Sequence, residues 1–124
     1  MGARINYVFK ETEEGPNVVL YSHWGETEWQ RDLAMALEHS KPRWKDSSYF
    51  SRMMISYLMQ DSILDETGFG IYAISGPSFE LGDMTVVIDI NKETIYEAGK
   101  DLQVDWQMFI NAYVPKVLAE HTAG

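Results

Sequence analysis

The chain has 124 residues, 45% of them hydrophobic, and a formal net charge of −9. This length predicts a single domain, residues 1–124, which can bury a core without covalent cross-links. There is no cysteine, which excludes disulfides, thiol catalysis and cysteine–zinc sites, and the negative charge argues against direct nucleic-acid binding because phosphates are repelled. Because no secretory or membrane-spanning apolar segment is visible, we expect a cytoplasmic protein without membrane association.

Two strands are predicted at the start of the chain. Over residues 3–10 alternate positions are apolar, which places Ile5, Tyr7 and Phe9 on one face of a strand. A charged loop containing Gly15 and Pro16 follows, and an apolar, β-branched run over residues 17–24 predicts a second strand. The two strands should form a hairpin.

The second strand leads into a helix start, and this junction is the predicted ligand site. Thr27, with Gln30 three residues later, forms a capping-box pattern that opens a helix. Gly25 permits the turn before the helix. His23 and Trp24 are thereby placed at a strand end, beside free backbone N–H groups and the positive end of the helix dipole, which favour anions.

Helical spacing of apolar residues predicts two helices next. The first spans residues 28–40 and is ended by Pro42. Ser47 or Ser48 can cap the second, which extends to about Asp61. Methionines on its apolar face are interpreted as core residues.

Three further strands and a final helix complete the prediction. The strands span residues 69–75, 84–90 and 94–98, and a tight turn joins the last two into a second hairpin. Asp105 can cap a helix whose apolar spacing continues to Leu118, with a kink expected at Pro115 because proline lacks an amide N–H. This order predicts an α+β domain with about five strands in an antiparallel or mixed sheet and about three helices packed on one face.

His23 is the residue best suited to chemistry, as a base, a ligand or a hydrogen-bond donor. The alternative is structural, with the imidazole holding the turn that follows. Ser22 and His23 are adjacent on a strand and point to opposite faces, so they cannot by themselves form a nucleophile–base pair. The histidines, His23, His39 and His121, show no metal-ligand spacing. We therefore predict no catalytic residue, no metal and no cofactor, and a small hydrolase using His23 is the least favoured function.

Aromatic and basic residues follow the predicted junction. Arginines in this part of the chain could bind phosphate oxygens while a tryptophan stacks on a base. One hypothesis is therefore a small-molecule binder that sequesters a nucleotide-like ligand. The predicted ligand-binding residues are His23, Trp24, Thr27, Arg31, Arg43, Trp44 and Arg52.

An acidic flank gives the second hypothesis. Between Asp61 and Asp105 the chain carries ten acidic residues and two lysines. Acidic surfaces steer association with basic proteins, although such a charge run is also typical of an ordinary solvated surface. The residues predicted to contact a basic partner are Asp83, Asp89, Glu93, Glu97 and Asp101.

Four segments resemble small proteins encoded by phages and other prokaryotic viruses. They are residues 1–10 (MGARINYVFK), 18–27 (VVLYSHWGET), 41–44 (KPRW) and 66–72 (ETGFGIY), and the resemblance extends over roughly the first 90 residues. The resemblance implies a viral accessory protein that acts on the host, for example against host defences. It assigns no functional residue in this sequence. The favoured function is accordingly a non-enzymatic protein that binds a host protein through the acidic flank.

Overall fold

The computed structural model of the protein describes residues 4–23, 28–76, 78–79 and 81–114. Within these ranges the chain forms six strands and three α-helices. A short 3-10 turn, Lys41–Arg43, lies between the first two helices. In chain order the elements are β1 Ile5–Lys10, β2 Asn17–Ser22, α1 Trp29–Ser40, α2 Ser47–Leu58, β3 Phe69–Ile74, β4 Met84–Asp89, β5 Thr94–Glu97, β6 Val104–Asp105 and α3 Trp106–Tyr113.

The strands form one mixed sheet in the order β3-β2-β1-β4-β5-β6. β1 and β4 pair in parallel at its centre, and the other neighbours are antiparallel. Both predicted hairpins are confirmed, because β1 pairs with β2 and β4 pairs with β5. The α+β class is confirmed as well, with one strand more than expected. The additional strand is β6, whose two residues are too few to show an alternating pattern.

The helices cover one face of the sheet and form the main core with it. The side chains of Ile5, Tyr7 and Phe9 all point into this core, as their alternation predicts. A second, smaller cluster lies on the opposite face, where Phe79 packs with Val8, Val19 and Val87. β1 is consequently buried on both faces along its whole length.

The helix boundaries correct the prediction at three points. α1 begins at Trp29, and Glu28 occupies the capping position without a side-chain capping bond, whereas the predicted capping residue Thr27 lies outside the described residues. α2 ends at Leu58 instead of near Asp61. α3 ends at Tyr113 because Val114 has an extended backbone (ψ 128°), the conformation that a following proline favours; the predicted continuation from Pro115 is outside the described residues.

The predicted cap of the last helix is confirmed. The Asp105 carboxylate accepts hydrogen bonds from the backbone N–H groups of Gln107 (2.9 Å) and Met108 (3.3 Å). No helix in the described part of the chain is long and apolar enough to cross a membrane.

Candidate functional site

The arginines predicted to bind phosphate are not brought together. Arg31 lies in the first turn of α1 and Arg43 lies just beyond its end, so the twelve residues of the helix separate them by about 18 Å. Arg31 already pairs with Glu28, the capping residue before α1, and with Asp32 of the helix. Arg43 instead lies over the ring of Tyr49, 5.6 Å from its centroid. Arg31 and Arg43 therefore do not meet at one phosphate-binding site.

Trp44 and Arg52 are also separate from the predicted junction. The indole N–H of Trp44 donates to the carbonyl of Leu37 (3.0 Å), and its ring meets Trp106 edge-on at 5.1 Å. Trp44 is therefore partly buried and packs against the core. Arg52 lies on the exposed side of α2, where its guanidinium donates to Ser56 Oγ at 3.4 Å.

His23 lies at the end of β2, where it connects this strand to the start of β3. Its backbone N–H donates to the carbonyl of Gly68 (2.9 Å), and its Nδ1 is 3.3 Å from Tyr21 Oη. An open cavity of about 460 Å³ borders it, lined also by Thr67 and Phe69. Trp24 and Thr27, the other predicted members of this site, lie outside the described residues. These contacts favour the structural interpretation of His23.

His23→Ala should lower the melting temperature by about 3–5 °C, which corresponds to roughly 1 kcal/mol in a domain of this size. The variant loses the contact with Tyr21 but keeps the backbone bond to Gly68. Tyr21→Phe removes only the hydroxyl group and should reproduce part of the loss. A thermal melt of both variants beside wild type measures this, and an unchanged melting temperature for His23→Ala would show that the imidazole is not structural.

Asp89 is not part of a partner-binding surface, which corrects the prediction. It is 3% exposed, and its Oδ2 lies 3.6 Å from Lys10 Nζ. Its Oδ1 accepts the backbone N–H of Lys92 at 3.0 Å. The carboxylate therefore has an internal electrostatic role on the second face of the sheet.

Two other predicted acids are neutralised by nearby lysines. Glu93 Oε2 is 2.8 Å from Lys45 Nζ, and Glu97 Oε2 is 3.3 Å from Lys100 Nζ. Both carboxylates belong to partly buried residues. Asp83 and Asp101 are exposed, but the predicted set as a whole does not form one unpaired acidic surface.

Residues 61–74 carry other exposed acidic and apolar side chains, and we name this segment the loop–strand surface. In the loop before β3, Leu64 is 97% exposed and Ile63 is also exposed. The adjoining acids Asp61, Asp65 and Glu66 are exposed as well. The sequence contains no lysine or arginine between Arg52 and Lys92, so this surface has no nearby base in sequence. The acids of this segment are visible in the sequence, but the exposure of Ile63 and Leu64 between them is not.

An aromatic groove lies on the helix side of the sheet, between α1, α3 and the last two strands. Phe109 packs on Trp29 (centroids 6.1 Å apart) and on Tyr113 (4.8 Å), and a cavity of about 330 Å³ opens beside these rings. Its outer part includes Leu102 and Met108, which are 74% and 64% exposed. This groove was not predictable from the sequence, because β6, which helps to form it, has no recognisable pattern.

Acidic side chains do not assemble into a metal centre in the described ranges. No group of three or more histidine, aspartate or glutamate side chains there is arranged to hold a metal ion.

Asp32 has a raised pKa, because burial disfavours its charged form and Glu28 adds to this, while Arg31 acts in the opposite direction.

Comparisons with known proteins do not identify a function for these surfaces. No protein-family model, no curated protein sequence and no solved structure matches the chain.

Proposed function

We propose that this protein is a non-enzymatic binding protein that engages a basic protein partner through the loop–strand surface. The observation that carries the proposal is Leu64, 97% exposed beside Asp65 and Glu66. In the viral setting implied by the sequence resemblance, the partner is a host protein in the cytoplasm and the role is accessory, such as counter-defence.

The apolar part of the surface supplies affinity. A fully exposed leucine gains roughly 1.5–3 kcal/mol when a partner buries its side chain. Ile63 and Ile71 add exposed apolar area in the same segment of chain. Contiguous exposed apolar side chains with a polar surround are typical of protein interaction sites.

The acidic part supplies direction. Asp61, Asp65 and Glu66 are exposed, and none of them lies within ion-pair distance of a basic side chain among the described residues. Exposed like charges attract an oppositely charged partner during the diffusional encounter, and salt weakens that attraction. Binding should therefore become slower as ionic strength rises.

The alternative is a small-molecule binder, and the aromatic groove offers it a candidate site. Apolar, aromatic walls of this volume suit a planar apolar ligand. A nucleotide is a poorer match, because Lys100 is the cation lining the groove and it is paired with Glu97. Native mass spectrometry of the protein purified from host cells would reveal a bound ligand.

Two matched double variants test the proposed surface. Leu64→Ser with Asp65→Lys changes the loop–strand surface, and Leu102→Ser with Asp101→Lys makes the same changes at the aromatic groove. All four residues are exposed, so each variant should remain within about 1 kcal/mol of wild-type stability. Circular dichroism and a thermal melt verify that both are folded.

Wild-type protein is used to select binders from a displayed random-peptide library, and the selected peptides are then measured against both variants. We expect the selected peptides to combine aliphatic residues with lysine or arginine. Their affinity should fall about tenfold or more for the Leu64 variant, the equivalent of about 1.4 kcal/mol, and stay unchanged for the Leu102 variant. The reverse pattern would place the binding site at the aromatic groove and contradict the proposal.

A further inference from the structure

β3 is an edge strand with one side open. All six of its residues pair with β2, from Phe69 opposite Ser22 to Ile74 opposite Asn17. No described strand pairs with its outer side, because β3 is the first strand in the sheet order. Such an edge presents a row of backbone N–H and C=O groups that another extended segment can bind.

β3 lacks the features that usually protect an edge strand. Its sequence, FGIYAI, contains no charged residue and no proline. The opposite edge of the sheet, β6, is only two residues long, and short edges offer little to pair with. The two edges of the sheet therefore differ, and β3 is the one that can accept a further strand.

The helix layer reaches Phe69 at the start of β3 but leaves the middle of the strand exposed. Ile71 is opposite Leu20, and Ala73 is opposite Val18, so these four side chains share the helix side of the sheet. Leu20 is fully buried there, but Val18 is 40% and Ile71 is 61% exposed. A seventh strand beside β3 could place alternate apolar side chains against Ile71 and Ala73.

On the other face β3 is anchored to the centre of the sheet. Tyr72 Oη donates a hydrogen bond to Asn6 Oδ1 of β1 at 2.9 Å, spanning β2. The edge is therefore held in its extended form before a partner arrives, which lowers the ordering cost of binding.

Acidic residues flank the uncharged strand at both ends. Asp65 and Glu66 precede it, and both are exposed. At its far end the N–H of Gly76 donates to the carbonyl of Glu14 (3.1 Å), which brings the exposed Glu14 of the β1–β2 loop beside the end of β3. A complementary segment would carry basic residues on both sides of an apolar, strand-forming centre.

We propose that the partner binds as an extended segment that adds a strand to β3, with alternating aliphatic residues at its centre and lysine or arginine at both ends. This proposal rests on the proposed function, and it specifies how the loop–strand surface recognises its partner. A second copy of this chain is a poorer occupant. Antiparallel pairing of two β3 strands would bring Glu66 of each copy toward Glu14 of the other, and each copy has a net charge of −9.

The test uses a fluorescent synthetic peptide, Lys-Lys-Val-Thr-Val-Thr-Val-Thr-Lys-Lys, titrated with full-length protein and followed by fluorescence anisotropy. Three control peptides change one property each. In two, alternate central amides are N-methylated in one phase or the other, which removes the N–H donors along one edge while charge is kept. In the third, glutamate replaces the terminal lysines. We expect binding of the parent peptide, a loss of about tenfold or more with one N-methylated peptide, and no binding of the acidic peptide.

Two protein variants locate the added strand. Ile71→Lys places a charge on the exposed edge and should weaken binding about tenfold or more, whereas Leu102→Lys, at an exposed apolar residue outside this edge, should not. If the parent and both N-methylated peptides bind equally, strand addition is overturned. The proposed function still holds in that case if the double variant Leu64→Ser with Asp65→Lys loses this binding. Strand addition is also overturned if none of the synthetic peptides binds while the library-selected peptides still bind. Self-association of wild type that Ile71→Lys abolishes would identify a second copy as the occupant instead.

Discussion

Trp106→Ala should lower the free energy of unfolding by about 3–5 kcal/mol, because it opens a large cavity where the helices meet the sheet. Trp106 is fully buried and stacks on Phe50, with ring centroids 4.7 Å apart. It also contacts Trp44 edge-on, and its indole N–H donates to the carbonyl of Thr94 at 3.0 Å. Urea denaturation followed by circular dichroism measures the change.

The conservative replacement separates packing from hydrogen bonding. Trp106→Phe keeps an aromatic ring against Phe50 but leaves the Thr94 carbonyl without its donor, so we expect a smaller loss of about 1–3 kcal/mol. Leu102→Ala, at an exposed position, serves as the control and should change stability by less than about 0.5 kcal/mol. If Trp106→Ala were no more destabilising than this control, the central position of Trp106 in the core would be contradicted.

Lys10→Met should lower the free energy of unfolding by about 3–5 kcal/mol at neutral pH, because it leaves the Asp89 carboxylate buried without its cation. The two residues are register partners in the parallel β1–β4 pairing. The ammonium group of Lys10 also lies 3.1 Å from Glu13 Oε2 and over the ring of Phe79. Lys45→Met breaks the pair between the exposed Lys45 and the partly buried Glu93 and should cost less than about 1 kcal/mol.

Removing both charges should recover much of that stability. In Lys10→Met with Asp89→Leu no buried charge is left unpaired, and apolar replacement of a buried pair is often neutral or better. Urea denaturation of the single and double variants completes the comparison. A double variant as unstable as Lys10→Met would show that the loss comes from packing around the lysine stem instead of the charge on Asp89.

The same pair makes stability sensitive to alkaline pH. Burial by itself lowers the pKa of Lys10, but the hydrogen bond to Glu13 and the charges of Tyr96 and Asp89 outweigh it, so the pKa is raised. A raised pKa in the folded state stabilises the protein below the unfolded lysine pKa of about 10.4, and this contribution is lost as pH rises through the folded pKa. The stability difference between wild type and Lys10→Met should therefore be constant from neutral pH to about pH 9 and shrink above about pH 10.4.

The acidity of the chain and its open edge strand are physically connected. An uncharged edge strand such as β3 invites pairing between copies and aggregation. A net charge of −9 opposes that encounter, because copies of the protein repel one another. The same charge attracts a basic segment, so one property both discourages self-pairing and favours the proposed partner.

Local patterns were sufficient to predict most of the elements. The alternation of Ile5, Tyr7 and Phe9 identified β1 and the face that enters the core. Asp105 was identified as a cap because a carboxylate three residues before an N–H group bonds within a single turn. These features depend on neighbouring residues, and the spacing of residue types along the chain directly reflects this short-range geometry.

The candidate site could be predicted only in part, because it depends on which faces the fold covers. The acids of residues 61–66 are visible in the sequence, but Leu64 and Ile71 have the same apolar character as core residues. Their exposure follows from the end of α2 at Leu58 and from a helix layer that covers Leu20 but leaves Val18 and Ile71 exposed. Burial is a property of the assembled layers, and no local pattern specifies it.

The sequence by itself determined most of the secondary structure, the α+β class and the overall acidity of the protein. Only the tertiary structure decided the strand order, the parallel pairing of β1 with β4, and the position of β3 at an open edge. It also decided that Asp89 is buried beside Lys10 and is not exposed on the surface. The physical reason is the separation along the chain of the residues that interact. Local hydrogen bonds and side-chain spacing involve neighbouring residues, whereas strand order and burial arise from contacts between segments far apart in the chain.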